Sequence, residues 1–517
     1  MAQTRIGRSR PASSWRIYAG GQVSREIVLA SCNDGYMSEH FDLCVIGSGS
    51  GLAVMPPEIT KHWRCALVDA GIGEQRLFGG TCLNAGCIPS KMLSLPASVS
   101  LTPADAARMN VRLTSRGIDF SGLRARTLQR TDSISTNGLD WQLGRENVKV
   151  YRHSARFIDA HTLRVGDETI SADRFVLAAG SHPRMLDAPG FDEPDLAAFV
   201  HSSDSIMRIP QPPARLIILG GGTEAVEFAH IFSALGTEVT VVNRSSRILK
   251  KIEPALADFV TERIARRVAL RTNQSVIGLD AADDGGVVVL TKDPSGIEYS
   301  YQADLVLTVM GRIPNGRALD VEKAGVALDD EGFVKVDDLQ RTSANHIWAI
   351  GDICNHQMLK HLANVQARTV LAAEKAEISG SELTLDSRPG PRDQSIVPLG
   401  IFISPEVASI GLTTPQAAKI GEPFAVYQQG YAATAWGWAM NDDGHFIRLL
   451  GRPDGTILGA HIVGPQATTL LQPIIMGITN GLSAKEIADR QFWVHPAPPE
   501  VVENALLGLA DKCAELA

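Results

Sequence analysis

The sequence predicts an α/β protein made of two Rossmann-like units followed by a C-terminal α+β unit. Three observations predict it. The apolar run Phe41–Ile46 ends in Gly47-Ser48-Gly49-Ser50-Gly51, and Leu216–Leu219 ends the same way in Gly220-Gly221-Gly222. Each turn is followed, at the distance a βαβ unit requires, by a second apolar run, Cys65–Asp69 and Val239–Asn243. Beyond about residue 388 the character changes. Arg388-Pro389-Gly390-Pro391-Arg392 reads as a linker, and no phosphate-type turn follows it. At 517 residues the chain exceeds the size at which one core keeps growing, so roughly two to four domains are expected.

The first 36 residues collect Arg5, Arg8, Arg10, Arg16 and Arg25, with Glu26 as the first acid. That bias is like a transit peptide. We read it instead as a tail or an upstream start, Met37 being a natural first residue, and give it no function.

In the first unit, a glycine turn between strand and helix lets backbone N–H groups approach a pyrophosphate. Asp69 lies where a carboxylate can accept a ribose hydroxyl. The bland alternative is a structural turn. Leu52 occupies the third glycine position, with Gly51 one place early, and Pro56-Pro57 interrupt the expected helix. That helix is therefore expected to be short, kinked or displaced.

The segment Gly79-Gly80-Thr81-Cys82-Leu83-Asn84-Ala85-Gly86-Cys87-Ile88-Pro89-Ser90-Lys91 is the most specific signal. Residues five apart on a regular helix are separated by a rise of roughly 7.5 Å. A disulfide needs Cα atoms within about 4.4–6.8 Å. Cys82 and Cys87 can pair only where the chain departs from regular helix, as at a helix entrance, and Gly86 and Pro89 suit one. A helix N-terminus also favours a thiolate. A zinc half-site is disfavoured by the spacing and the lack of a second pair; two inert thiols are the other alternative.

Further on, Phe175–Gly180 and Leu305–Gly311 are apolar runs ending in glycine, the latter continuing as Arg312-Ile313-Pro314-Asn315. The second nucleotide turn fits its pattern better, with Ala225 at the third position. Its following strand ends in Val242 and Asn243 rather than an acid, with Arg244, Arg247 and Lys250 close behind. Missing repulsion plus nearby cations favours a 2′-phosphate, hence NADPH; a solvated basic turn is the alternative. An acidic turn, Ala349–Asp352, follows. The last unit mixes strand-like runs (Phe446–Leu450, Ile457–Val463) with helical ones (Thr468–Thr479, Ala484–Arg490).

The other cysteines are Cys32, Cys44, Cys65, Cys354 and Cys513. An odd number scattered through a long chain is unlike a secreted disulfide framework and points to the cytoplasm. Cys44 and Cys65 read as buried small hydrophobes. Net charge is −8, so no basic field draws nucleic acid or anionic lipid. No apolar run approaches the roughly 20 residues of a bilayer span.

The cysteine segment resembles the signature of the pyridine nucleotide–disulfide oxidoreductases, the group containing glutathione reductase and dihydrolipoamide dehydrogenase. The likeness runs from about residue 40 to 510. It includes Ala178-Ala179-Gly180, Gly311–Asn315, the turn ending in Asp352, and His495-Pro496-Ala497-Pro498-Pro499-Glu500. The resemblance implies a division of labour. Residues 37–185 and 318–388 would bind FAD, 186–317 NADPH, and 389–517 would form a homodimer interface. FAD would be held by Gly47, Gly49, Gly51, Asp69, Gly80, Thr81, Lys91, Gly180 and Asp352. NADPH would be held by Gly220, Gly222, Ala225, Arg244, Arg247, Lys250 and Gly311. Cys87 would face the flavin and Cys82 the substrate disulfide. Lys91 would pair with Glu227 beside the flavin. His495 of the other subunit would be the acid–base, oriented by Glu500. Stretches such as Gln491–Pro496, Val501–Leu509, Gly437–Met440 and Leu359–Asn364 resemble a branch that reduces a low-molecular-weight disulfide. An NAD-linked dihydrolipoamide dehydrogenase and a flavin-binding member without reductase activity are the alternatives. Thr223 stands where many relatives carry an aromatic residue, and Glu224 where an apolar one is usual.

Overall fold

The computed structural model describes residues 39–283, 285–385, 387, 390 and 396–517. The N-terminal extension of 1–36 and most of the linker at 388–392 lie outside them. The first strand, β1 (Glu39–Ile46), runs parallel to Cys65–Val68 on one side and to Glu168–Leu177 on the other. Val148–Tyr151 extends this sheet beyond Cys65–Val68, and Ile347–Ala349 returns to it from far along the chain to pair with Glu168–Leu177. Leu43–Ile46 of β1 and all of Cys65–Val68 are apolar and buried because both faces are covered, as parallel sheets require. Cys44 and Cys65 are buried there as small hydrophobes, their thiol pKa values pushed up by burial.

The prolines act as expected. After the first glycine turn the chain makes a short 3-10 helix, Ser50–Val54, and then one turn of α-helix, Pro57–Thr60. The cysteine segment follows as two helices, α1 (Gly80–Asn84) and α2 (Cys87–Ser100). A five-stranded parallel sheet forms the second unit, centred on β2 (Arg215–Leu219), which leads directly into α3 (Thr223–Ala234). The C-terminal unit is a five-stranded sheet whose paired strands are all antiparallel. Phe446–Gly451 and Ile457–Val463 lie inside it, and the helices Gln472–Thr479, Ala484–Asp489 and α4 (Glu500–Ala514) pack on it. Segregated helices on an antiparallel sheet make this unit α+β, beside two α/β units. One break was not anticipated: the helix expected over Thr468–Thr479 is split into Ala467–Leu470 and Gln472–Thr479 at Leu471, just before Pro473. Among the described residues, no helix is long and apolar enough to cross a membrane.

Buried polar pairs join the units. Glu253, at the start of the helix Pro254–Ile264, accepts from Thr414 through both carboxylate oxygens and from Arg448 in the C-terminal sheet.

Candidate active site

The cysteines sit on either side of a helix break. Cys82 lies inside α1, Cys87 is the first residue of α2, and Ala85 and Gly86 between them leave helical geometry. A Cβ at Gly86 would stand 3.1 Å from the Thr81 carbonyl oxygen and 3.3 Å from Cys82 Cα. A side chain there would push the two short helices apart. The break thus brings together two residues that a continuous helix would separate.

Both are free thiols, Cys82 half-buried and Cys87 exposed. A hydrogen bond from the Cys87 thiol holds the Cys82 pKa down to about 7, with help from the Lys360 charge and against the cost of burial. The same bond pushes Cys87 up, so the pair gives up its first proton readily and its second with difficulty. Lys360 also donates to Ser50 Oγ at 2.8 Å, tying the helix Lys360–Ser379 to the first turn.

The first glycine turn is unusually closed. A Cβ on Gly47 would lie 2.2 Å from the Ala178 carbonyl oxygen; on Gly80, 2.5 Å from Gly49 Cα. Gly51 takes over the work of the missing third glycine, because a Cβ there would meet Val45 at 2.8 Å and Ala178 at 3.0 Å. Asp69 pins this turn from the side. Its Oδ1 accepts from Ser48 N at 3.1 Å and Ser48 Oγ at 2.8 Å, and its Oδ2 pairs with Arg152. Ser48 Oγ in turn accepts the Gly79 N–H at 2.8 Å, so the turn and the cysteine segment share one network. Asp69 was expected to offer its carboxylate to a ribose; both oxygens already have partners within the chain. Gly180 and Asp352 meet through Ser181, whose hydroxyl donates to Asp352 Oδ2 at 2.8 Å. Thr81 belongs to α1 and accepts the Ala85 N–H at 2.8 Å.

At the second turn, a Cβ on Gly220 would lie 2.5 Å from the Val309 carbonyl oxygen, whereas Gly222 and Gly311 face open space. Gly222 caps α3, and Ala225 is fully buried in its first turn. Asn243 closes the basic loop by donating to the Ser245 and Arg247 carbonyls at 2.8 and 3.0 Å. The three basic residues are not equivalent. Arg244 and Lys250 are exposed, but Arg247 is ion-paired with Asp258 at 2.9 Å.

One expectation needs correcting. Lys91 does not make an ion pair with Glu227. Its Nζ lies 3.4 Å from the centroid of the Phe402 ring, a cation–π contact, while Glu227 Oε1 accepts the Phe402 backbone N–H at 2.9 Å. Phe402 thus engages both groups, the ammonium through its ring and the carboxylate through its backbone N–H. Burial pushes Glu227 up to about 7 and draws Lys91 down, which weakens the attraction that would join them. Lys91 also lines a cleft of about 720 Å³ with Met92, Arg126, Gln129, Arg130 and Asn137.

His495 lies on the surface. Its Nδ1 lies 2.6 Å from Glu500 Oε1, and Glu500 Oε2 accepts the Ala497 N–H at 3.2 Å. The histidine hydrogen bond holds the Glu500 pKa below the usual carboxylate range. The His495 side chain is 70% exposed, and Phe492 and Val494 beside it are exposed as well. Sequence reasoning assigned no role to Phe402, Arg152 or Lys360, although Lys360 lies in the stretch Leu359–Asn364 singled out above. Phe402 and Arg152 carry no local signal, since each reaches the site from a distant part of the chain.

A paired-thiol centre between two glycine-turn nucleotide units defines a flavoprotein disulfide reductase. Residues 41–373 match the pyridine nucleotide-disulphide oxidoreductase family and residues 397–506 its dimerisation domain. The chain belongs to that family. It is 38% identical over 481 residues to mycothione reductase of Mycobacterium tuberculosis, covering 91% of this chain and all of that one. It is 32% identical to dihydrolipoyl dehydrogenase of Haloferax volcanii, over 90% of this chain and 96% of that one. Its fold matches the HOCl-induced flavoprotein disulfide reductase RclA from Escherichia coli, with a TM-score of 0.74 at 24% identity over 90% and 99% of the two chains.

The family's cofactors are FAD and NAD(P)H, and the residues fit them. Gly180, after the strand Glu168–Leu177, and Gly222, at the second turn, have nothing within 4 Å of where a Cβ would stand, which leaves room for close approach to the backbone. Asn84 Oδ1, next to the cysteine pair, is buried with no partner, a polar atom left for a bound group.

Proposed function

We propose that this protein uses NADPH to reduce mycothione, the disulfide of the sugar-based thiol mycothiol. The observation that carries the reading is the Cys82–Cys87 pair at a helix break, with one thiol ready to ionise near neutral pH. The full-length likeness to a mycothione reductase supports the choice of disulfide.

The chain's own groups can perform each step. The Cys82 thiolate attacks one sulfur of the substrate; a Cys82–substrate bond forms, the substrate S–S bond breaks, and one thiolate leaves. His495, supplied by the partner subunit and held by Glu500, protonates that leaving thiolate. Cys87 then attacks Cys82, closing the Cys82–Cys87 disulfide and releasing the second thiol. FAD, when bound, couples two-electron input from the nicotinamide nucleotide to the cysteine pair. Cys87 is assigned the flavin side and Cys82 the substrate side. Residues 37–185 with 318–388 are assigned to FAD, 186–317 to NADPH and 389–517 to the dimer interface.

NADPH is favoured over NADH because the second nucleotide strand ends in Asn243, its carboxamide spent on the loop, with Arg244 and Lys250 exposed beside it. The cleft beside Lys91 offers Arg126, Arg130, Gln129 and Asn137, hydrogen-bonding groups suited to a hydroxyl-rich substrate.

The test is nucleotide oxidation with mycothiol disulfide, glutathione disulfide and lipoamide in parallel, each with NADPH and with NADH. Preferred turnover of mycothiol disulfide with NADPH is expected. Preferred use of NADH with lipoamide would overturn both assignments in favour of a dihydrolipoyl dehydrogenase. Bound flavin with no turnover of any disulfide would leave a binding protein instead.

A further inference from the structure

Helices α2 and α3 pack against each other, with Leu93 of α2 buried in one core with Val226, Phe228 and Ala229 of α3. Two polar contacts mark this seam. At one, Lys91 and Glu227 both meet Phe402. At the other, the fully buried His230 of α3 meets Ser98 of α2, its Nε2 lying 3.0 Å from Ser98 Oγ. Ser98 follows Lys91 by two helical turns and His230 follows Glu227 by nearly one, so each helix carries both contacts on one face.

Arg267 fixes the histidine from its other side. Its guanidinium lies 3.3 Å from His230 Nδ1 and can only donate, so Nδ1 accepts and Nε2 carries the hydrogen given to Ser98. Burial, and then the Arg267 charge, draw the His230 pKa down to about 3, which keeps the ring neutral. Arg267 leads into the strand Ala269–Thr272, which pairs with Glu238–Asn243, the strand that ends in the basic loop. His230 therefore joins the redox helix to two elements of the second nucleotide unit.

Pro96 gives such a joint a purpose. It lies inside α2 between Lys91 and Ser98, and without an N–H it cannot bond the Met92 carbonyl. The helix is weakest between the two contacts, so the one at Phe402 does not fix where its second half lies against α3.

We propose that His230 is a positioning residue for the nucleotide half of the reaction: through Ser98 it fixes α3, which follows the turn Gly220-Gly221-Gly222, along the helix that begins at Cys87. The turn that receives the nicotinamide nucleotide is thereby held in register with the flavin side of the cysteine pair. The inference rests on the reading that residues 186–317 hold the nucleotide.

The experiment compares two half-reactions of the flavin-loaded enzyme without oxygen. One is flavin bleaching at saturating NADPH. The other is reduction of the Cys82–Cys87 disulfide by dithiothreitol, read by labelling the freed thiols. In His230→Leu, bleaching should slow by about 10- to 100-fold, the cost of a misplacement on the order of 1 Å. Dithiothreitol reduction should keep its wild-type rate, because the α1–α2 break holds the cysteines without α3. Ser98→Ala should slow bleaching as well, and the double variant should be no slower than His230→Leu, since both remove one contact. His230→Gln, whose carboxamide can donate to Ser98 and accept from Arg267, should restore most of the rate. Unchanged bleaching in both single variants would overturn the proposal. So would an equal slowing of dithiothreitol reduction, or additive losses in the double variant. Should His230→Leu fail to fold, Ser98→Ala, at a half-buried hydroxyl, decides alone. The reading beneath it fails separately. Gly222→Asp sets a carboxylate at the turn, where nothing lies within 4 Å of a Cβ. Wild-type NADPH binding in that variant would show that the nucleotide lies elsewhere.

Discussion

The cysteine end and the histidine end of this redox centre are built in opposite ways. Cys82 and Cys87 are fixed by a single chain. The α1–α2 break, the contact of Gly80 on Gly49 and the Ser48–Asp69 network all hold them in place. His495 has one orienting partner, Glu500, and otherwise points into open space among exposed apolar residues. One end is held by many contacts within the chain and the other by one. A histidine oriented by a carboxylate yet left facing solvent is what the proposed role across a dimer interface requires. The dimerisation domain that carries it supplies the means.

The two ends therefore break differently. The largest loss is expected for Cys82→Ser, which removes the attacking sulfur. Disulfide reduction should fall to background while the nucleotide still bleaches the flavin in single-turnover absorbance. Loss of flavin bleaching as well would show that Cys82 serves the flavin side. His495→Ala should lower kcat by about 10²–10⁴, the usual contribution of a positioned acid–base. Glu500→Gln should lose less, because it only orients the ring. A Glu500→Gln variant as impaired as His495→Ala would mean that the carboxylate takes part in proton transfer directly.

Next in size is the pH dependence of the cysteine end. Because the Cys82 pKa is lowered to about 7, the reactive thiolate is present above that pH and is lost below it. Single-turnover disulfide reduction should rise through about pH 7 and then level off. A rise centred instead near the ordinary thiol range of about 8.5 would mean that Cys87 does not hold Cys82 in its thiolate form. At the NADPH turn, Arg244→Ala should raise the NADPH KM by about tenfold, typical for one charge-assisted contact. Arg247→Ala should raise it less, since Asp258 already holds that guanidinium.

The smallest effect lies away from both ends. Glu374 is buried with neither carboxylate oxygen bonded, and burial raises its pKa well above 4.5. The protonated form is the one the fold tolerates. Stability is thus fully present below the unfolded value and declines as pH rises through the folded one. Glu374→Met should stabilise the protein by roughly 1–3 kcal/mol at pH 8 and by less at pH 5, read from denaturant unfolding. Equal effects at both pH values would mean that the Glu374 pKa does not differ between the folded and unfolded states.

The sequence made some of this architecture legible and not the rest. Both glycine turns, the helix break at the cysteines, the short helices forced by Pro56-Pro57 and the mixed strands and helices of the C-terminal unit follow from local patterns. Gly, Pro and hydrophobic periodicity act over a few residues, so they can be read without knowing the fold. Gly51 illustrates the limit. Its place one position early looked like a weakened motif, but packing against Val45 and Ala178 gives it the missing glycine's work. The expected Lys91–Glu227 ion pair failed for the same reason. Phe402, from the edge of the C-terminal unit, is the partner of both, and no pattern near Lys91 or Glu227 announces it. Asp69 was singled out from its place after the second strand, yet its bonds to Ser48 and Arg152 depend on how three segments converge.

The claim that the centre is finished by a second chain is tested most directly by mixing defects. A heterodimer of one Cys82→Ser subunit and one His495→Ala subunit, separated by two affinity tags, keeps one site with an intact Cys82 and an intact partner histidine. The account predicts that this heterodimer reduces the disulfide at about half the wild-type rate, while both mutant homodimers stay near background. A heterodimer as inactive as its parents would contradict it, placing His495 and the cysteines in the same chain's site.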